Sequence, residues 1–270
     1  MKNILTIAGF DPSSGAGITK DLDVFFSLGI HGVSVPTCIV NQNPKGVAGV
    51  YPIPHTEFSQ MLNTVHDGIR LDGIKIGVML DEFYVDKLYQ FISSANDIPV
   101  VLDPLISAKN NTLLITDNGL RALINTVFPK TTVITPNIVE AEIITGKKVD
   151  NIDDMQDAAK VILSMGTKGV VIKGGHLDGE PVDILYDGKE FAKWHKKRIN
   201  REIHGTGCTF SSALLAFLVK GQNLKNAFES AEQYMVYSIE KSYKIADDGY
   251  FYMSSAVLPK DLTQEIQLNS

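Results

Sequence analysis

Residues 4–29 have the sequence ILTIAGFDPSSGAGITKDLDVFFSLG, and this segment determines the fold class of the chain. Its first residues form a short apolar run, which predicts a strand over 4–8. The glycine-bearing loop GFDPSSGAG follows, and apolar residues then recur at helical spacing until Gly29, a glycine that ends the helix. A strand, a glycine loop and a helix in this order indicate the start of an α/β fold.

The same alternation recurs along the chain. Short apolar strands are predicted at residues 73–78, 100–103, 132–135 and 169–173. Helices are predicted at residues 84–94, 113–127 and 152–165 and, in a helical tail that begins at Gly205, at 209–220 and 224–243. Continuous apolar strands separated by helices favour parallel strands that are covered on both faces.

Two strand pairs interrupt the alternation. Residues 33–40 and 47–53 flank the turn-rich NQNPKG and predict a small flap, and residues 183–194 predict a hairpin that turns at Asp187-Gly188. We expect a single domain over residues 1–270, because neither a fixed-period repeat nor a long linker divides the sequence.

The composition excludes several classes of protein. Of the 270 residues 44% are hydrophobic, which argues against disorder, and the formal net charge of −6 argues against binding to nucleic acid. No window has the roughly 18 apolar residues of a membrane span, and the start MKNILTIAGF has too short an apolar run for a signal peptide. Two cysteines fit a reducing compartment. We therefore expect a cytoplasmic protein without nucleic-acid or membrane partners.

Residues 204–212, HGTGCTFSS, are the most informative about chemistry. Small residues precede a helical run, so backbone N–H groups and the helix N-terminus would bind an anion such as a transferring phosphoryl group. Cys208 would lie in the first turn, where the pKa of a thiol tends to fall. The alternative is a tight turn at Gly205 and Gly207, with Cys208 as a small buried hydrophobic residue.

Residues 135–142, TPNIVEAE, follow a predicted strand. Asn137 and Glu140 stand three positions apart, so they share a face at the start of a helix, and their oxygens suit Mg²⁺ held through water. An N-cap with acidic residues in the first turn is the alternative, and these residues alone favour it.

Two further strands end in polar residues. Residues 171–176, VIKGGH, would place Lys173 at the carboxyl edge of the sheet, with Gly174 and Gly175 letting the backbone approach a ligand. A plain strand-to-hairpin turn is the alternative. Asp103 ends its strand in the same way, and it would either begin a turn or join a metal shell.

The N-terminal loop and the flap would accommodate a flat ring, because the loop consists largely of small residues. A side-chain amide such as that of Gln42 both donates and accepts, which suits a heteroaromatic ring with an amino group beside a ring nitrogen. Glycine-rich loops and asparagine-rich turns are also common without any ligand.

Taken together, these segments resemble the hydroxymethylpyrimidine and phosphomethylpyrimidine kinases of thiamine biosynthesis, within the ribokinase superfamily. The blocks that carry the resemblance, in order and from about residue 3 to 220, are LTIAGFDPSSGAGITKDL, VNQNPKGV, KIGVML, VVLDPLISAK, TPNIVEAE, VIKGGH and HGTGCTFSSAL. The resemblance implies a ribokinase-like three-layer α/β/α fold with a mostly parallel central sheet, flanking helices and a small β flap. It also implies ATP as phosphoryl donor, Mg²⁺ as cofactor and a homodimer that uses the apolar flap surface.

The resemblance further implies roles for individual residues. The anion hole would consist of Gly205, Thr206 and Gly207, and Cys208 would stand where sugar kinases of the superfamily use an aspartate base. The nucleotide region would include Lys173, Gly174, Gly175 and Asn137, and the metal would be supported by Asp103 and Glu140. The pyrimidine pocket would be lined by Gly9, Ala16, Asp21, Val40, Gln42, Val78 and Leu105.

Several positions depart from the pattern of that family. Phe10 stands where a small Ser or Thr is usual, Ser14 replaces a glycine and Pro44 replaces a polar residue. Val78 occupies the place of a methionine that packs against the substrate ring. These departures leave the kinase prediction intact and loosen the prediction of the substrate.

We predict a kinase that phosphorylates 4-amino-5-hydroxymethyl-2-methylpyrimidine, and also its monophosphate to the diphosphate. A pyridoxal or pyridoxine kinase on the same scaffold is the nearest alternative, and a non-catalytic pyrimidine or nucleotide sensor is an alternative of another class. A hydrolase that uses Cys208 is disfavoured, because no histidine follows it and the upstream His176, His195 and His204 have no evident orienting acid.

Overall fold

The structure is a computed structural model that describes residues 1–43, 46–95, 97–107, 113–175, 177, 180–199, 201–246 and 249–255. Its strands are β1 Asn3–Phe10, β2 His31–Asn43, β3 Gly46–Pro52, β4 Gly73–Ile76, β5 Val100–Leu102, β6 Val133–Ile134, β7 Val170–Ile172, β8 Val182–Tyr186, β9 Phe191–His195, β10 Ile203–His204 and β11 Phe251–Tyr252. Its α-helices are α1 Gly17–Ser27, α2 His55–Gly68, α3 Glu82–Ser94, α4 Asp117–Ala122, α5 Ile138–Thr145, α6 Ile152–Ser164, α7 Thr206–Val219 and α8 Leu224–Glu240.

The central sheet has nine strands in the order β3-β2-β1-β4-β5-β6-β7-β8-β9. From β2 to β7 every neighbouring pair in this order is parallel, whereas β3, β8 and β9 join antiparallel. The prediction of a mostly parallel central sheet is therefore confirmed. Because β1 lies between β2 and β4, the strand order reverses there, and ligands of open α/β sheets bind beside such a point.

Side-chain alternation along the strands divides the apolar core into two layers. Ile76, Leu102 and Ile134 belong to the cluster that packs against α2, α3, α5 and α6. Val101 and Val133 belong to the cluster on the opposite face, with α1, α7 and α8. The prediction of helices on both faces is confirmed. Side chains two positions apart share a face of a strand. The polar residues that lie two positions after Val101, Val133 and Val171, or between Ile74 and Ile76, therefore point to the side of α7. They are Asp103, Thr135, Lys173 and Lys75.

The flap continues the central sheet. β2 pairs with β1 along its first part and with β3 along its second part, where Ile39 lies opposite Tyr51. The register shifts between Asn41 and Gln42. Pro44, one of the departures from the family's pattern, lies outside the described residues, as do His176 and residues 256–270. The single domain over residues 1–270 therefore stays a prediction.

The structure also corrects several predicted elements. The helix predicted at 113–127 begins at Asp117, because Leu114 N donates to Ile106 O and Thr116 caps the helix by accepting from Gly119 N. Helix α2 was not predicted. The tail after Gly205 is not wholly helical, since β11 pairs with β10. Among the described residues, no helix has the length and apolar character that a membrane crossing requires.

Candidate active site

Polar side chains from three neighbouring strands meet at the carboxyl edge of the sheet. Lys173 directly follows β7 and Asp103 directly follows β5. The Nζ atom of Lys173 donates to Oδ1 of Asp103 over 2.7 Å. Thr135 Oγ1, which follows β6, donates to the same oxygen over 3.1 Å. The Asp103 side chain is 2% exposed and that of Lys173 is 15% exposed. The lysine is therefore the member of the pair that reaches toward solvent.

Each partner of this pair keeps the other charged. Burial raises the pKa of Asp103, but the charges of Lys173 and Lys75 outweigh it and hold this pKa below its ordinary value. Burial lowers the pKa of Lys173, but Asp103 and Glu140 outweigh it and raise this pKa. The carboxyl edge of the sheet thus carries an ionised carboxylate at Asp103 and an ammonium group at Lys173.

The N-terminus of α7 comes close to this pair because its N-cap residue and its second residue are glycines. At Gly207 a Cβ would lie 3.2 Å from Lys173 Nζ and 3.3 Å from Asp103 Oδ2. Gly205 caps the helix with φ +80, and a Cβ there would lie 1.8 Å from Gly15 O. Thr206 is exposed between them. The first N–H groups of a 14-residue helix, which have no partner within the helix, therefore lie beside the Lys173 ammonium group.

Cys208 lies in the first turn of α7, but its thiol does not have the lowered pKa that the sequence predicts. The residue is 5% exposed. Burial raises the pKa of this thiol to about 11, although the charge of Lys75 acts in the opposite direction. Removal from water thus outweighs the favourable dipole of the helix N-terminus. The thiol is neutral at pH 7.

A buried ion pair beneath the site was missed by the sequence analysis. Lys75 and Asp21 are both fully buried, and Lys75 Nζ donates to the two carboxylate oxygens of Asp21 over 2.9 Å each. Asp21 also accepts from Thr6 Oγ1 (2.6 Å) and Ser212 Oγ (2.8 Å). Asp21, expected at the pyrimidine pocket, is thus occupied by protein donors. A lysine inside the apolar strand GIKI was the signal in the sequence.

Asn137 and Glu140 form a capping box at the start of α5. Glu140 N donates to Asn137 Oδ1 and Asn137 N donates to Glu140 Oε2, each over 2.9 Å. The capping alternative is therefore confirmed, whereas the metal role stays a prediction. Burial raises the pKa of Glu140 to about 7, with Lys173 opposing the rise and Asp103 adding to it.

The donor set at this edge suits a metal ion with few protein ligands. Among the described residues, no group of three or more His, Cys, Asp or Glu side chains could hold a metal. Asp103 and Glu140 are both acidic groups that act on Lys173. Two carboxyl groups fit Mg²⁺, which usually keeps several waters and takes further oxygens from phosphates. They do not fit a metal that requires a full protein cage.

An apolar corner brings together three of the residues expected to line the pyrimidine pocket. A Cβ at Gly9 would lie 3.2 Å from Val78 Cγ1 and 3.3 Å from Val40 Cγ2. Cys38, which the sequence analysis did not assign to the site, is the third neighbour, with Sγ at 3.0 Å. Ala16 precedes α1 as its N-cap residue. Leu105 is half-buried beyond Asp103.

His204 links the flap to the N-terminal loop. Its Nε2 lies 3.2 Å from Asp11 Oδ2 and 3.1 Å from Gln42 Nε2. Asp11 also accepts from Ser13 N (2.8 Å) and Ala16 N (2.9 Å) and so organises the loop. The argument that His204 lacks an orienting acid is therefore wrong, because residues 193 positions apart meet only in the folded chain. The same nitrogen is nevertheless already engaged by Asp11 and Gln42.

The two glycines after Lys173 differ in their surroundings. At Gly174 a Cβ would lie 2.0 Å from Val182 O, and Gly174 N donates to Asp183 Oδ1 over 2.9 Å. This glycine is thus required by the packing of β8. Gly175 is exposed and has open space around its Cα. Nucleotide binding by either residue stays a prediction.

Comparison with known proteins identifies close relatives. A family model described as phosphomethylpyrimidine kinase matches residues 11–251. The hydroxymethylpyrimidine/phosphomethylpyrimidine kinase of Aquifex aeolicus (strain VF5) is 36% identical over 92% of this chain and 98% of its own. The solved phosphomethylpyrimidine kinase of Clostridium difficile 630 is 36% identical, with a TM-score of 0.79 over 88% of this chain and 100% of that one.

A second kind of vitamin kinase is similarly related. The pyridoxal kinase of Staphylococcus aureus, solved in complex with ADP, is 33% identical and has a TM-score of 0.88 over 95% of this chain and 94% of its own. The likeness to both solved kinases confirms the ribokinase-like three-layer fold that the sequence predicts.

Proposed function

This chain belongs to the phosphomethylpyrimidine kinase family, and from that premise we propose that it transfers the γ-phosphoryl group of ATP to the hydroxymethyl group of 4-amino-5-hydroxymethyl-2-methylpyrimidine. The reaction belongs to thiamine biosynthesis, and the monophosphate is the substrate of a second transfer. The observation that carries the proposal is the approach of the α7 N-terminus to the Lys173–Asp103 pair at Gly207.

Electrostatic stabilisation is the main contribution of the protein. Phosphoryl transfer requires positioning and compensation of the charge on the phosphoryl oxygens, with little covalent chemistry by the protein. The N–H groups at Gly205–Gly207 would donate to those oxygens, and the Lys173 ammonium group would neutralise a neighbouring phosphate. The N–H groups begin helix α7 and the Lys173 ammonium group is held by Asp103, so both donors would need little reorganisation when the nucleotide binds.

Cys208 would contact the substrate hydroxyl group. Two roles are open to it, a base that takes the hydroxyl proton and a group that holds the hydroxyl oxygen in line. The buried thiol has a pKa of about 11, so only a small fraction is thiolate at pH 7. This supports the positioning role, since a general base is most effective with a pKa near the working pH.

Mg²⁺ is the cofactor that we propose, held through water by Asp103 and Glu140. When bound, it would neutralise charge on the phosphates of ATP. Lys173 keeps the Asp103 carboxylate ionised, and the capping box holds the Glu140 side chain at the start of α5. Asp103 is thus ionised and would accept hydrogen bonds from metal-bound water, whereas Glu140, whose pKa is raised to about 7, is only partly ionised at neutral pH.

Pyridoxal kinase activity is the second candidate function. It is favoured by the likeness to the Staphylococcus aureus pyridoxal kinase and by Val78, which takes the place of a methionine expected in the pocket. A pyridine ring with a hydroxymethyl arm could fill the corner formed by Gly9, Val40 and Val78.

Mass analysis of reaction products tests the assignment. The full chain is incubated with Mg²⁺, ATP and either hydroxymethylpyrimidine or pyridoxal at equal concentration, with a reaction lacking alcohol as control. We expect the pyrimidine to gain one and then two phosphates. A clear preference for pyridoxal would reverse the order of the two candidates. Absence of ADP formation above the control with both alcohols would favour a non-catalytic sensor.

We also propose a cytoplasmic homodimer. Ile39 and Tyr51 pair across β2 and β3 and are 45% and 58% exposed, and apolar surface of this kind favours an interface. Cys38 and Cys208 are both free, in keeping with a reducing compartment. Light scattering during size-exclusion chromatography tests the dimer, with Tyr51→Lys expected to yield monomers. A wild-type monomer at micromolar concentration would contradict it.

A further inference from the structure

The imidazole ring of His204 is held in one orientation where three parts of the site meet. It lies directly before Gly205, and its Nε2 contacts Asp11 of the N-terminal loop and Gln42 of the flap. At Gly15 a Cβ would lie 2.1 Å from the imidazole Cδ2, so the ring packs directly on the loop backbone. Tyr252 meets the ring edge-on, with 5.8 Å between ring centres.

The two contacts at Nε2 determine how the Gln42 amide is turned. Asp11 is ionised, because its carboxylate oxygens accept from Ser13 N and Ser13 Oγ over 2.8 Å each and from Ala16 N over 2.9 Å, and these donors favour the charged form. A carboxylate only accepts, so Nε2 of His204 must carry a hydrogen. The same nitrogen then has no lone pair for the Gln42 –NH2 group, so the amide is assigned with its oxygen in the place of Gln42 Nε2, 3.1 Å from His204 Nε2, where it shares the single hydrogen of that histidine nitrogen with Asp11.

With its oxygen against His204, Gln42 turns its –NH2 group away from the histidine. Val40 and Gln42 are half-buried on one face of β2, whereas Asn41 and Asn43 on the other face are exposed. Val40 belongs to the apolar corner at Gly9. The Gln42 side chain therefore lies on the face of β2 that borders the pocket in which the substrate ring is proposed to bind.

We propose that His204, held by Asp11, is a specificity-determining positioning residue that keeps the –NH2 group of Gln42 turned toward the substrate ring. The inference rests on the proposed function. A 4-aminopyrimidine has a bare ring nitrogen beside its amino group, and this nitrogen accepts a hydrogen bond from the Gln42 donor. The corresponding 4-oxo pyrimidine has an N–H group at that position and is rejected, because two donors face each other.

Steady-state kinetics with matched alcohols tests the role of His204. The substrates are 4-amino-5-hydroxymethyl-2-methylpyrimidine and its 4-oxo analogue, each with saturating Mg²⁺ and ATP. His204→Leu removes the donor, whereas His204→Gln retains an N–H group at about the same distance from the backbone. Gln42→Glu removes the –NH2 group itself.

We expect the wild type to prefer the amino compound at least about tenfold in kcat/KM, the order of one hydrogen bond. His204→Leu should reduce this preference to about twofold, mainly through a higher KM for the amino compound. His204→Gln should restore most of it, and Gln42→Glu should abolish it.

Three results would overturn the inference while leaving the kinase function standing. They are a wild type without preference, a preference that survives His204→Leu, and a fall of kcat for the two alcohols by the same factor in His204→Leu. The last would indicate that His204 only supports the Gly205–Gly207 backbone. If His204→Leu does not fold, Gln42→Glu and His204→Gln decide the same question. A wild type that phosphorylates neither alcohol would contradict the proposed function, and this inference with it.

Discussion

The substitution Glu140→Gln separates the charge of one buried carboxyl group from its structural role. Glu140 is 3% exposed, and its side chain accepts from Asn137 N over 2.9 Å. Glutamine also forms capping boxes at this position. The substitution therefore retains the helix cap and removes the charge.

The expected change in stability follows from the pKa of Glu140. Burial raises it from the ordinary 4.5 to about 7, which corresponds to at most about 3 kcal/mol against the ionised form in the folded protein. Because the folded pKa lies above the unfolded one, the carboxyl group costs nothing well below pH 4.5. The loss in the free energy of unfolding grows as the pH rises from 4.5 to 7, and it reaches its full value above pH 7. Glu140→Gln should thus be more stable than wild type by at most about 3 kcal/mol at pH 8 and about 1 kcal/mol at pH 5.

Urea denaturation between pH 5 and pH 8.5, without nucleotide or metal, measures this difference. Glu142→Gln on the same helix is the control for loss of one negative charge, since the Glu142 carboxylate is partly exposed. Kinase activity of Glu140→Gln should fall even though its fold is more stable, because a neutral amide supports metal-bound water less well. A stability difference that does not change with pH, or a less stable variant at pH 8, would refute the reasoning.

Three further perturbations test the site. Cys208→Ala should lower kcat by the same factor at every pH from 7 to 9, because a neutral thiol positions the substrate equally well over this range. If the wild-type kcat instead rises about tenfold per pH unit and the variant lacks this rise, the thiolate is a general base. Gly205→Ala should destabilise the protein by several kcal/mol, because its Cβ would lie 1.8 Å from a carbonyl oxygen, whereas Gly221→Ala, also at positive φ but in open space, should cost about 1–2 kcal/mol in thermal denaturation. Lys75→Met should cost about 3–5 kcal/mol by leaving the Asp21 carboxylate buried without its cation, and adding Asp21→Asn should recover part of this loss; equal stability of the single and double variants would contradict it.

The strand pattern and the residues at strand ends could be predicted from the sequence because both are local properties. Apolar runs of strand length identified β4 to β7 and the parallel sheet, and the parallel arrangement brought Asp103 and Lys173 to one edge. The interpretation of Asn137 and Glu140 as a helix cap was equally local. The predicted start of the helix at residue 113 was wrong, because the Leu114 N–H instead donates to Ile106 O and the helix begins only after Thr116.

The sequence by itself determined the fold class, the family and the edge of the sheet where the site lies, because strand and helix periods and ordered motifs are written along the chain. Tertiary structure alone decided the chemical state of the site. Burial, which depends on packing from all sides, raised the pKa of Cys208 where its place in a helix predicted the opposite. Contacts between residues far apart, Lys75 with Asp21 and His204 with Asp11, formed only when the strands and loops came together. No local pattern contains those distances.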